Sequence, residues 1–296
     1  MNQLSAGFFD YARERYSIHL RREGNQVKPW TDDPILQEYR FCNVFREDDV
    51  VTKWMRSKIS YQAYGRELIQ ATLIARWFNR IATVERLLPP ADCEPPYLTH
   101  NMLYLWDSDE VRKRLTGVSP LVTGAFMVKS PPKMSKLEGL IQCIEQGIPI
   151  VDRLQCHIHN SSRTPSLEFV HEWLMDIPYI GAFMAYEVVC DLRHTMLHMA
   201  PDIDTWASAG PGAFRGAGRI DGGRVDFYRR GNRADTQSVL ETMQRLLAES
   251  KDARNWSAAW PRWEMREVEH TLCEFDKYER ARLGEGTPKQ CYDGAP

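Results

Sequence analysis

Apolar side chains in this chain recur at spacings of three and four far more than at two, which commits it to helices rather than sheets. Phe9, Ala12, Tyr16 and Leu20 set that period in the first segment, and Gly24 is placed to stop it. Asp33-Pro34 supplies an N-cap and a first-turn proline for a helix running through ILQEYRFCNVF. Asp48 is the expected cap of DVVTKWMRSKI, and further helices are expected over about Arg66 to Leu87, Asp107 to Thr116 and Ser135 to Gln146. Thr164-Pro165 opens SLEFVHEWLM, the chain turns at DIPYIG, and AFMAYEVVCDLRH resumes the helical period. Two late helices follow, from about Asp235 to Ser250 and Glu264 to Arg282. LLPPADCEPPY reads as a proline-rich connector and PLVTGAFMVKSPP as a short extended piece or lobe packing. The tail LGEGTPKQCYDGAP is expected to be poorly ordered or to lie along the surface. The fold class is therefore all-α, a single helical domain over residues 1–296 in two closely packed lobes.

At 296 residues the chain can bury a full core, and with 43% hydrophobic and 26% charged residues it has no apolar run long enough for a membrane span. Its first residues lack the layout of a signal peptide, and seven dispersed cysteines without a CxxC pair read as reduced thiols in a cytoplasm. A net charge of −2 gives no global attraction to nucleic acid, so any DNA contact requires local positive charge. Between Gly210 and Arg233 six arginines face two aspartates, among seven glycines. That composition suits a loop whose backbone amides approach a phosphate, and equally suits a solvated flexible loop.

Helix, then Ile177-Pro178-Tyr179-Ile180-Gly181, then helix, is the pattern of a DNA-binding helix-hairpin-helix over about residues 165–193. Proline and glycine make a tight turn, and the second helix begins with backbone N–H groups able to hold a DNA phosphate. Pro178, Tyr179, Ile180 and Gly181, with Arg219, are the candidate DNA contacts, although the usual hairpin has glycine where Tyr179 stands. The layout resembles the helix-hairpin-helix DNA glycosylases, which carry an aspartate followed by threonine about twenty residues beyond the hairpin. Asp204-Thr205 occupies that place here, with Asp202 nearby. The resemblance implies an all-α, glycosylase-like two-lobed fold with Asp204 at the chemistry; the alternative is that Asp204 merely caps a helix.

Four strings, PWTDDPILQEYRFCNVFREDDVVTKW, IPYIGAFMAYEVVCDLRHT, DTWASAGPGAFRG and WEMREVEHTLCEFDKYERAR, together resemble the α-glutamyl/putrescinyl thymine pyrophosphorylase family, also called amino acid:DNA transferases. The helical domain of phage 5-hydroxymethyluracil DNA kinases looks related. No GxxxxGK[ST] phosphate loop occurs, so the kinase half is not expected here. The resemblance implies an enzyme acting in the cytoplasm of an infected bacterium, on double-stranded DNA containing pyrophosphorylated 5-hydroxymethyluracil. It would displace pyrophosphate with an amine, from an amino acid or a polyamine, with the base kinase as a further partner.

That chemistry needs a flipped base, cations for the leaving pyrophosphate and an acceptor for the amine proton. Trp30, Tyr39, Phe45 and Trp206 are candidate stacking surfaces. Arg40, Asn43, Arg46 and Glu47, if helical, share one polar face, and Arg215 with Gly210 and Gly212 is the candidate pyrophosphate cradle. Asp204 is the first candidate to take the proton; Glu187 and Asp191 are weaker and more suited to pairing with arginine. Glu264, Glu267, His270 and Glu274 form a polar row that is either a solvated face or, through Glu267, His270 and Glu274, the amine site. His194 with His198, and Cys156-His157-Ile158-His159, lack a full ligand set, so neither a metal nor a cofactor is expected. Two other functions share the same hairpin: a glycosylase excising a modified thymine, and a non-catalytic DNA-binding partner of a base kinase.

Overall fold

The computed structural model describes residues 3–59, 65–89, 101–124 and 128–292. Twelve α-helices occur among them, beginning with α1 (Gln3–Glu23), α2 (Pro34–Glu38), α3 (Val50–Lys58) and α4 (Gly65–Phe78). Then come α5 (Ile81–Val84), α6 (Ser108–Leu115), α7 (Lys136–Asn160), α8 (Leu167–Met175) and α9 (Ala182–Leu192). The last three are α10 (Pro211–Gly222), α11 (Arg233–Glu249) and α12 (Met265–Arg282). No strand accompanies them in the described residues, only an isolated antiparallel bridge between Tyr39 and Cys291. The all-helical expectation therefore holds. The chain divides into two units, residues 1–49 with 202–296, and residues 50–201.

In the first unit, Phe8, Phe9, Ala12 and Tyr16 of α1 are buried as the spacing requires, whereas Leu20 is exposed. Phe8 meets Phe9, Trp263 and Phe275 edge-on, with ring centroids 5.1, 5.8 and 5.6 Å away. Tyr16 packs on Phe45 and Trp256, so Phe45 is core and not a free stacking surface. Asp33 caps α2 as expected, accepting from the N–H groups of Ile35 and Leu36. That helix stops at Glu38, however, and residues 39–45 are not helical. Their backbone groups find partners elsewhere: Arg40 donates to the Gln290 carbonyl, Tyr292 donates to Glu38, and Cys42 donates to the Glu274 carboxylate. The tail thus lies along this segment as far as Tyr292.

The glycine- and arginine-rich stretch is also not a loop at its start. Pro211 sits in the first turn of α10, and Gly223, at φ 67°, ends it. Glycine is tolerated in this helix because α12 lies almost against its backbone. A Cβ on Gly212 would come 3.0 Å from the Cys273 Cα, and one on Gly216 would come 3.1 Å from the Leu272 carbonyl carbon. Glu264 and Glu267 close a capping box at the start of α12.

In the second unit, α4 ends at Phe78 because Asn79 takes φ 45°, which breaks the helix expected to reach Leu87; α5 and a 3-10 turn over Glu85–Leu87 follow. α3 begins at Val50, and Asp48 belongs to a preceding 3-10 turn, Arg46–Asp48. α7 runs on past Gln146, through Pro149, because Ile150, Val151 and Leu154 are buried on the same face. Arg76 on α4 is buried and paired with Asp191, its Nη2 donating to Asp191 Oδ1 at 2.8 Å and to Thr52 Oγ1 at 2.9 Å. Glu187 lies 3.6 Å from the same guanidinium. Both acids thus pair with arginine, as their type suggested. Most of the connector LLPPADCEPPY (residues 90–97) and residues 125–127 of PLVTGAFMVKSPP lie outside the described residues.

Candidate functional site

α8 and α9 are joined by the turn through Ile177 and Ile180, both buried, which plug the turn into the second unit's core. Pro178, Tyr179 and Gly181 are exposed, and no side chain caps the start of α9. Tyr179 adopts φ 68°, the left-handed conformation that glycine takes at least cost. Ile180 contributes backbone only, since its side chain is core.

In the first unit the segment 39–49, α10 and α12 bring together residues distant in the sequence. Glu269 on α12 accepts a hydrogen bond from the Gly210 N–H at 2.9 Å, at the N-terminus of α10. Burial raises its carboxyl to about 7, against the opposing pull of that N–H and of Arg46. His270 is pushed down to about 4, chiefly by burial and then by Arg46, and its ring is hydrogen-bonded to the Asn43 backbone. Both side chains keep part of their surface exposed. The site therefore holds a neutral imidazole and a carboxyl that titrates near neutrality, beside one guanidinium.

Behind them stands Arg15 on α1, a buried cation. Its Nη2 donates to Asn43 Oδ1 at 2.6 Å and to the Phe41 carbonyl at 3.1 Å. Asn43 Nδ2 in turn donates to the Asp48 carbonyl at 3.0 Å. Glu274 Oε2 accepts from the Cys42 N–H at 2.9 Å and from Lys277 Nζ at 3.1 Å, which ties the segment to α12. Burial, with Glu269 next, raises the Cys273 thiol, so it stays protonated and offers no thiolate.

The structure thus brings Asn43, Arg46, Gly210, His270 and Glu274 together, and adds Arg15 and Glu269, which sequence reasoning missed. Position 15 does fall on the apolar face of α1, in step with Phe8, Tyr11 and Ala12. Position 269 lies four residues from both Met265 and Cys273, on the face toward α10. A charge on an apolar stripe was the available signal in each case.

Other expected residues lie elsewhere. Glu47 is paired with Arg266 at 2.6 Å, and Glu267, almost fully buried, is held by Arg266 and by the α12 capping box. Glu267 therefore serves the helix start and does not face an amine. Arg40 is exposed and lies over the Tyr292 ring, 5.6 Å from its centre, so the shared helical face with Asn43 and Arg46 does not exist. Arg215 Nε donates to Asp276 at 2.7 Å, and Arg219 to the same fully buried carboxylate at 3.1 Å. Arg219 also pairs with Glu285 and is itself buried, which removes it from any DNA surface. Gly212 is a packing glycine against Cys273 rather than a phosphate cradle. Asp204 accepts two bonds from Arg262 Nη2, at 2.9 and 3.0 Å, on a half-exposed surface. Among the described residues, no group of three or more His, Cys, Asp or Glu side chains could hold a metal, and no helix is long and apolar enough to cross a membrane.

The chain belongs to the 5-hmdU DNA kinase helical-domain family, whose model matches residues 2–287. A curated relative, the 5-hmdU DNA kinase of Bacillus phage SP10, is 28% identical over 296 residues, covering 90% of this chain and 43% of the kinase. The chain therefore spans less than half the length of that relative. No solved structure matches it.

Proposed function

We propose that this chain transfers an amine, from an amino acid or a polyamine, onto pyrophosphorylated 5-hydroxymethyluracil in phage DNA and releases pyrophosphate. The observation that carries the reading is the Glu269 carboxyl at about 7 beside a His270 held neutral, with Arg46 next to both. A donor amine arrives mostly protonated, with an ordinary pKa of roughly 7.7–10.4. It needs a nearby base that titrates around the working pH. In this reading the ammonium gives a proton to the Glu269 carboxylate. The freed lone pair bonds to the methylene carbon at the 5-position, and the carbon–oxygen bond breaks with its electrons toward pyrophosphate. The products are a secondary ammonium on the base and free pyrophosphate.

Arg46 opposes the charge that builds on the leaving group. Arg15 positions Asn43, and through it the segment that carries Arg46. The base is flipped out of the duplex for this step, while the turn at Pro178–Gly181 holds a DNA phosphate. The kinship with a 5-hmdU DNA kinase supports a substrate derived from that base, and a base kinase in the host cytoplasm as the partner that prepares it.

The test is to incubate the protein with DNA bearing pyrophosphorylated 5-hydroxymethyluracil and a pool of amino acids and polyamines, then to analyse digested nucleosides by mass spectrometry. The expected product is an amine adduct with release of pyrophosphate, lost or reduced about 10²-fold or more in Glu269→Gln and kept in Asp204→Asn. Free modified base with abasic DNA would mean a glycosylase, for which Asp204 would be essential. Tight binding without turnover would mean a non-catalytic partner of the kinase.

A further inference from the structure

The six arginines between Arg215 and Arg233 divide into three groups. Arg215 and Arg219 are committed to the buried Asp276. Arg224 lies 3.6 Å from Asp226 and 6.0 Å over the Phe227 ring. Arg229, Arg230 and Arg233 are different: all three are exposed, and none has an ion-pair partner among the described residues. In a chain with a formal charge of −2, three adjacent unpaired guanidinium groups mark a surface awaiting anions.

The segment that carries them is anchored at both ends. Tyr228 donates to Asp221 Oδ2 on α10 at 2.8 Å, and that same carboxylate accepts from Thr242 and Arg245 of α11. The Arg229 N–H donates to Asp235 at 2.7 Å, and Asn232 caps α11 through the N–H groups of Ala234 and Asp235. The positive end of α11, seventeen residues long, adds to the field there. A backbone held in place in advance lowers the entropy that binding loses in ordering this segment.

We propose that Arg229, Arg230 and Arg233 grip the sugar-phosphate backbone of duplex DNA, a contact in the first unit separate from the helix–turn–helix in the second. The proposal rests on the reading that DNA is the substrate. Its chemistry is charge neutralisation along a strand, so it positions DNA without reading sequence.

The test measures binding of a fluorescent unmodified duplex against salt concentration, for the full chain and its Arg229→Gln/Arg230→Gln/Arg233→Gln variant. At roughly 0.9 per phosphate contact, the slope of log affinity against log salt falls by about 2 to 3 in the variant. Affinity at about 0.1 M salt falls tenfold or more. The corresponding triple lysine variant keeps most of the slope, since charge is retained. An unchanged slope in the glutamine variant overturns the proposal, as does equal loss in both variants. Displacement of the duplex by inorganic pyrophosphate at equal phosphate concentration also overturns it, because a pyrophosphate site would then be the better description. The outcome is separable from amine transfer. Arginine-dependent binding with no adduct leaves this contact standing and removes the enzyme reading, while adduct formation with unaltered variant binding does the reverse.

Discussion

Glu269 and His270 give the protein opposite pH limits. The Glu269 proton is held more tightly in the folded chain than the ordinary carboxyl value of 4.5, so its stabilising effect is complete below that value and lost as pH rises through about 7. The imidazole of His270 is held neutral down to about 4, so its contribution is present above the ordinary 6.5 and lost as pH falls through that lower value. Glu269→Gln should therefore gain in melting temperature relative to the parent as pH is raised from 5 to 8, measured by calorimetry at fixed salt. Equal shifts at both pH values would remove the raised carboxyl, and with it the basis for general-base work near neutrality. The same substitution should abolish any rise of turnover with pH through about 7, which separates a role in proton transfer from a role in stability alone.

At the scale of elements, the contact between α10 and α12 sets the geometry around Glu269, because it brings Gly210 to Glu269 and Arg215 to Asp276. Gly212 and Gly216, one turn apart, allow that approach. Gly216→Ala would drive a methyl against the Leu272 backbone, where no side chain can give way. The expected cost is about 1–3 kcal/mol by chemical denaturation, typical of overpacking. Gly212→Ala meets Cys273, including its Cα, and should cost a similar amount. Wild-type stability in both variants would mean that the two helices do not pack backbone to backbone. Elsewhere, the glycine content of residues 210–223 pointed to a loop because glycine is a poor helix former in isolation. In the folded chain the penalty, ~1 kcal/mol per residue, is offset by burial against α12.

For the whole molecule, the second unit is one uninterrupted stretch, Val50–Pro201, whereas the first is assembled from two. The second unit has its own buried residues, among them Ile69, Leu73, Trp77, Ile144, Val170 and Val188, and its own ionic centre at Arg76. The excised stretch 50–201 should therefore give a helical circular dichroism spectrum and a single cooperative thermal transition. A chain without a cooperative transition would show that its core depends on the remainder of the protein. The first unit has no such option, since residues 1–49 hold only part of its core and require α10, α11 and α12 to complete it.

The sequence alone specified the helical class and most helix positions, because these depend on local period, caps and breakers. It also determined that Glu187 and Asp191 would meet arginine, since a carboxylate on an otherwise apolar helix must be paired when buried. Tertiary structure alone decided the rest. Residues 39–45 leave the helix because the tail at 290–292 and Glu274 supply their backbone partners. The arginine-rich stretch separates into two arginines turned inward and four turned outward because Asp276 reaches only Arg215 and Arg219 of its six. Glu269 becomes a group that titrates near 7 through burial beside Gly210, fifty-nine positions away in the chain. Burial and charge are properties of neighbours in space, and no spacing along the chain records them.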